Sequence, residues 1–171
     1  MRIQNRMTRL NHKLQSLPEA WRPRVQTAVM GRMVPFLKTA GLRFDRLSQE
    51  EVAVSIRSRR AVHNHIGGVH ACAMALLAET ATGFATIMNT PDDKLILLKS
   101  MHIDYTRRSV GSMRAVATLD SAAAERIANE ERGNFSVPCR VYDDSGEEPV
   151  TVDMVWAWLP RQQSQQEEVA A

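Results

Sequence analysis

The chain has 171 residues, a length for one domain with an extension, and its 44% hydrophobic and 24% charged residues are the usage of an ordinary soluble globular protein. No stretch is long and apolar enough to cross a bilayer, and the first residues lack the apolar segment of a secretory signal. The net charge of +3 is uneven: residues 1–40 hold eight Lys or Arg against Glu19 alone, a net +7, which leaves −4 for the rest.

A basic arm of this kind can meet nucleic acid, an anionic membrane surface or the phosphates of a coenzyme. The preferred reading is a solvated helical arm packed on its own dimer. No aromatics interleave with its cations, which argues against nucleic acid. Cys72 and Cys139 have no C-x-x-C spacing, so both are expected to be reduced core residues of a cytoplasmic protein.

The predicted elements begin with a helix over residues 1–16, carrying a thin apolar stripe of Met7, Leu10, Leu14 and Leu17. Pro18 with Glu19 is expected to start a second helical piece, in which Trp21, Val25, Ala28, Val29, Met33 and Phe36 recur at helical spacing. Pro35 should end or kink it. These residues form a helical extension, 1–40.

Gly41 opens a sheet domain, 41–160. Leu42, Phe44 and Leu47 mark a first strand. Gln49 to Arg59 alternates, with Val52, Val54 and Ile56 on one face. Arg57, Arg59 and Arg60 follow, either to meet coenzyme phosphates or, as preferred, as an exposed strand end. Residues 64–85, NHIGGVHACAMALLAETATGFA, then form the centre of the chain. From Ala71 to Pro91 the single charged side chain is Glu79, and the apolar residues go all round. A helix apolar on every face is buried, and its alanines let other layers approach closely.

Asn89 to Asp93 is a turn. Lys94 to Arg107 is a long strand, with Leu97, Met101, Ile103 and Tyr105 on one side and Leu98, Ser100, His102 and Asp104 on the other. Gly111 turns the chain into a strand from Met113 to Leu119. Ser121 to Gly133 fits either a short helix or a bulge. Phe135, Val137, Cys139 and Val141 alternate; Asp143 to Gly146 is a hairpin turn; Val150 to Trp158 is the last strand. A disordered tail is expected over 161–171. Consecutive strands around one long helix give an α+β class, a curved antiparallel sheet wrapped round the helix.

The chemistry is read from Glu79 and the entrance to its helix. Asn64, Gly67, Gly68 and His70 form a turn-rich lead-in, and the first backbone N–H groups of the helix, around His70 to Cys72, favour an oxyanion. A polarising helix N-terminus and a shielded carboxylate are two parts of an acyl-transfer site. His70 and Glu79 are nine residues apart, so they face nearly opposite sides, ~13 Å apart along the axis. Two antiparallel copies could bring the mouth of one to the Glu79 of the other, which predicts a homodimer with shared sites.

The run Asn64-His65-Ile66-Gly67-Gly68-Val69-His70-Ala71, followed by Glu79, resembles the hotdog-fold acyl-CoA thioesterases of the phenylacetate-degradation type. Asn64, Gly67, His70 and Glu79 fall in register with that family's N-x-x-G-x-x-H-G pattern and its later acid. Ala71 stands where the family has its oxyanion-hole Gly; alanine keeps the N–H and adds a methyl group. The helical extension is similar to that of a related branch of unknown function. The resemblance implies a hotdog fold and a homodimer or homotetramer. It implies no cofactor beyond coenzyme A as part of the substrate, and no nucleic-acid partner. It also implies a site in which the Ala71 N–H and Asn64 polarise a thioester carbonyl and Glu79 acts as base or nucleophile. His70 would orient the loop or a water, or be bonded to backbone. Gly67 and Gly68 shape the loop, and Arg107 and Arg108 are candidates for coenzyme phosphates.

Two other functions compete. One is a non-catalytic acyl-CoA or acyl-carrier binding protein, for which Ala71 is the support. The other is a metal-dependent nuclease or metalloenzyme, prompted by His63, His65 and His70, which lack a nearby cysteine or carboxylate cluster to complete a shell.

Overall fold

The computed structural model describes residues 3–161. Helix α1 spans Arg6–Gln15, α2 Arg22–Met33 and α3 Pro35–Ala40. The second helix thus starts four residues after Pro18, which instead begins a turn whose carbonyl accepts from the Trp21 and Arg22 N–H groups. Pro23 sits in the first turn of α2 and Pro35 opens α3, each where a missing N–H costs nothing.

Buried amides weld α1 to the body. Asn5 caps α1 and its Nδ2 donates to the Ile87 and Thr90 carbonyls. Asn11 Nδ2 donates to Leu47 O and Gln26 Nε2 to Asn11 Oδ1. The polar side of α1 is therefore part of its packing face, since a buried amide must be satisfied.

The strands are β1 (Leu42–Leu47), β2 (Glu51–Ile56), β3 (Lys94–Tyr105), β4 (Met113–Thr118), β5 (Gly133–Ser136), β6 (Cys139–Asp143) and β7 (Val150–Pro160). They form one antiparallel sheet in the order β1-β2-β4-β6-β7-β3, with β5 also on β7. The sheet curves around α4 (Ala71–Met88), which packs against β1, β2, β4, β6, β7 and β3. This is the expected α+β arrangement. The β1 edge is covered: α2 lies along it, and Thr27 Oγ1 accepts the Phe44 N–H at 2.9 Å.

Readings of two strands and of one cysteine change, and a choice the sequence left open is decided. Leu98 and Leu97 exchange faces of β3. A bulge between Leu98 and Ser100 shifts the register, so Ile96 and Leu98 join Met101, Ile103 and Tyr105 on the helix side, opposite Trp158, Trp156, Met154, Val152 and Val150. Strict alternation cannot see an inserted residue. Residues Ser121–Asn129 form a helix, α5, capped by Asp120 through the Ala123 N–H. The alternating run from Phe135 to Val141 is two strands broken at Pro138. Cys72 is exposed on the single chain, whereas Cys139 is partly buried; both thiols are free. Burial pushes the Cys139 thiol up to about 12.

By length and composition α4 does reach the limit for a membrane span, with a mean hydropathy of 1.4, but 61% of it is buried inside the sheet. Its C-terminal half, Thr80 to Thr86, is fully enclosed. Gly83 lies against Trp156, where a Cβ would stand 2.9 Å from the ring carbons. Trp156 Nε1 donates to Thr82 Oγ1 at 2.9 Å, and Phe84 meets Phe44 edge to face at 4.7 Å. The N-terminal half of α4 is different. Ala71, Ala73, Ala75, Leu76 and Glu79 are only partly covered. Of the tail expected over 161–171, Arg161 is instead tied to the body, its N–H donating to Asp93 O at 2.9 Å, and 162–171 lie outside the described residues.

Candidate active site

The mouth of α4 is built by a short loop. A single 3-10 turn, Arg60–Val62, leads from β2, and His63 pairs with Val69 in an isolated bridge. Within it, Asn64 N–H donates to Gly68 O at 2.8 Å, and Gly67 N–H to Asn64 O at 3.1 Å. Gly67 has φ 78, a left-handed conformation that favours glycine. Asn64 Oδ1 accepts the Ile66 N–H at 3.1 Å and the Gly68 N–H at 3.0 Å. The Asn64 side-chain carbonyl therefore holds the loop, and its amide NH2 has no acceptor among the described residues. Arg108 Nη2 donates to Ile66 O at 2.9 Å and clamps the loop from outside. Ser58 Oγ and His63 Nε2 stand 2.8 Å apart at its base.

His70 is the N-cap of α4. Its Nδ1 accepts the Cys72 N–H at 3.1 Å, and its own N–H donates to Val62 O at 2.8 Å. Two of the three N–H groups expected to favour an oxyanion are thus engaged within the chain. The third, on Ala71, has no acceptor among the described residues. It is the first helical N–H of an 18-residue helix, where the aligned peptide dipoles leave partial positive charge. His70 therefore serves the backbone through Nδ1.

Glu79 lies a little over two turns further on, at ~12 Å along the axis from Ala71. It is half-buried, and its carboxyl is raised above its ordinary value, mainly by burial, with Thr80 Oγ1 at 3.5 Å acting in the opposite direction. No ion pair neutralises it among the described residues. The other half of the expected phosphate pair is spent elsewhere: Arg107 Nη2 donates to Asp143 Oδ2 at 2.9 Å and to Ser145 Oγ at 3.0 Å. The structure thus brings Asn64, Gly67, Gly68, His70, Ala71 and Arg108 together, and sets Glu79 and Arg107 apart from them on the same chain. His63 is turned to Ser58, and no group of three His, Cys, Asp or Glu among the described residues could hold a metal ion.

Sequence reasoning missed Tyr105. Its hydroxyl donates to Ala71 O at 3.1 Å although half of its surface is exposed. The phenol is raised above its ordinary value, first by burial and then by the neighbouring Cys72. Its position at the end of β3 was visible; the strand order that brings it to the helix mouth was not.

The family described as domain of unknown function DUF4442 matches residues 22–159. No curated protein matches the chain. Among solved structures, a Pseudomonas aeruginosa protein of unknown function, described as a probable thioesterase, is 20% identical, with a TM-score of 0.73, covering 85% of this chain and 97% of its own. A Haemophilus influenzae thioesterase is 11% identical, with a TM-score of 0.60 and coverage of 73% and 82%. A Staphylococcus aureus thioesterase, solved as a mutant, is 16% identical, with a TM-score of 0.61 and coverage of 74% and 100%. These likenesses establish a hotdog fold.

Proposed function

The chain belongs to the DUF4442 family, and from that premise and the geometry at the α4 mouth we propose that it hydrolyses acyl-CoA thioesters at a site shared by two copies. The observation that carries this reading is the lone unengaged Ala71 N–H, flanked by two that are tied down. A thioester oxygen accepting from it would gain a preorganised donor at the positive end of a helix, where negative charge develops in the transition state. The Asn64 amide would complete the hole.

Glu79 of the partner subunit would supply the base. It takes a proton from water as the oxygen attacks the carbonyl carbon. The tetrahedral oxyanion rests on the Ala71 N–H. Collapse breaks the C–S bond, and the coenzyme thiolate leaves with the proton that Glu79 held. The products are a carboxylic acid and free coenzyme A. A carboxyl raised by burial suits a base working near neutral pH.

The two-fold arrangement is supported by β3. It is a 12-residue edge strand, with Leu97, Met101 and Tyr105 about half exposed and Cys72 uncovered beside it. A long apolar edge invites pairing with another strand. The reading also takes a homodimer, or a tetramer of such dimers, in the cytoplasm, with no cofactor beyond the substrate's own coenzyme A.

A second reading is a binding protein for acyl-CoA or acyl carriers without turnover. The Ala71 methyl group at the mouth favours it, because it narrows the approach to the donor. Thiol release from a panel of acyl-CoAs, wild type against Glu79→Gln, tests both. Release that falls in the variant supports the hydrolase; tight binding of a non-hydrolysable acyl-CoA with no release supports the binder.

A further inference from the structure

Trp21, Met33, Val34 and Phe36 are 63%, 54%, 39% and 62% exposed. All four lie on the α2–α3 hairpin or its N-cap. On α2, Trp21, Ala28 and Arg32 fall within about 40° of one another, and Arg24 and Met33 bound the same exposed arc. Arg24, Arg32 and Lys38 are exposed too, and no carboxylate pairs with them among the described residues. Beside the hairpin, Arg32, Lys38 and Arg43 wall a groove of about 350 Å³ over Ala28, Gly31 and Leu42; no acidic residue lines it.

We propose that this hairpin docks on the surface of an anionic phospholipid bilayer, with Phe36, Met33, Val34 and Trp21 entering the interface and the Arg32, Lys38 and Arg43 groove receiving a lipid phosphate. Aromatic rings with apolar bodies favour the headgroup level. Each cation near an anionic surface adds attraction. A bilayer is the partner that takes apolar tips and cations at once. A second copy fits less well. A two-fold contact through this patch would set its cations against themselves. Nucleic acid would use the cations but leave the apolar tips in water. The hairpin covers the β1 edge, at the far end of the sheet from β3, so docking leaves the β3 edge free.

The test mixes the full chain with vesicles of phosphatidylcholine, with and without phosphatidylglycerol, and reads co-sedimentation and tryptophan emission. Trp156 and Trp158 are buried at 6% and 1%, so an emission shift reports Trp21. Expected is binding tighter by on the order of a hundredfold on the anionic vesicles, weakened by salt, with a blue shift. Arg32→Glu with Lys38→Glu should abolish this preference, and Phe36→Ser should weaken binding at unchanged thermal stability. If those variants misfold, the lipid and salt dependence of the wild type decides. The proposal is overturned by no binding to either vesicle or equal binding to both. It is also overturned if Trp21 is shielded from an aqueous quencher in lipid-free oligomers, or if the chain prefers nucleic acid or free coenzyme A to the vesicles.

Discussion

The Tyr105 hydroxyl donates to the carbonyl oxygen of Ala71 across 3.1 Å, tying the end of β3 to the first residue of α4. The strand that would meet a partner is thereby bonded to the residue whose N–H would hold the oxyanion, through that residue's other peptide group. Anything that moves β3 is felt at the mouth.

Tyr105→Phe removes that bond without disturbing the ring. The tyrosine is half exposed and the bond lies at the surface, so the stability cost should be small, about 0.5–1 kcal/mol. Thioesterase turnover should fall roughly tenfold with KM little changed, because the bond fixes the donor rather than the substrate. Steady-state kinetics and a thermal melt check both halves.

Ala71→Pro deletes one N–H and little else. Residue 71 is the first of α4, a position where proline is favoured, and His70 already has the extended ψ of 143 that a following proline requires. The fold should survive within about 1 kcal/mol while turnover drops on the order of 10²–10³-fold. Ala71→Gly, which keeps the N–H and removes the methyl group, should retain activity and accept bulkier acyl groups.

Glu79→Gln should lower turnover on the order of 10²–10⁴-fold. The wild-type rate should rise with pH through a value above that of an ordinary glutamate. Stability moves oppositely. A carboxyl raised in the folded state keeps its proton where the unfolded chain has lost it. Its favourable contribution is therefore complete below the unfolded value and is lost as pH rises through the folded one. Glu79→Gln should then be more stable than wild type at neutral pH, with the advantage vanishing in acid. Urea melts across pH measure it.

Asp143 anchors the hairpin under Arg107. Enclosure alone would raise its carboxyl, but bonds from Ser145 and the Val110 N–H, with the Arg107 charge, hold it below the ordinary range. Its side chain is fully buried while Arg107 is 35% exposed. Asp143→Asn should cost about 2–4 kcal/mol at neutral pH, somewhat less than a fully buried pair. The loss should shrink as acid protonates the wild-type carboxyl, since a depressed value gives stability that disappears as pH falls through it.

Most of the fold could be read from periodicity and punctuation. The alanine-rich run with its single acid marked α4, Gly41 and Gly146 marked turns, and Val52, Val54 and Ile56 marked β2. The misreadings came where neighbours in space overrode the local pattern. The β3 bulge inserted one residue and moved Leu97 to the other face. Cys72 lies in a run apolar all round, yet on the single chain it is exposed, because periodicity cannot say which stretch of a core helix its own sheet covers. Of the candidate site, the turn-rich geometry of the loop from Asn64 to Ala71, leading into α4, was legible. The commitment of Arg107 to Asp143, and of Tyr105 to Ala71, was not, because each bond joins residues more than thirty positions apart.

The proposed shared site is tested most directly by mixing Ala71→Pro with Glu79→Gln, each expected to be nearly inactive alone. A mixed dimer places the intact mouth of the Glu79→Gln chain opposite the intact Glu79 of the Ala71→Pro chain. Refolding the two together should restore roughly a quarter of wild-type thiol release, one native site in each of the half of dimers that are mixed. Mixtures that form such dimers and stay as inactive as either parent would contradict the account.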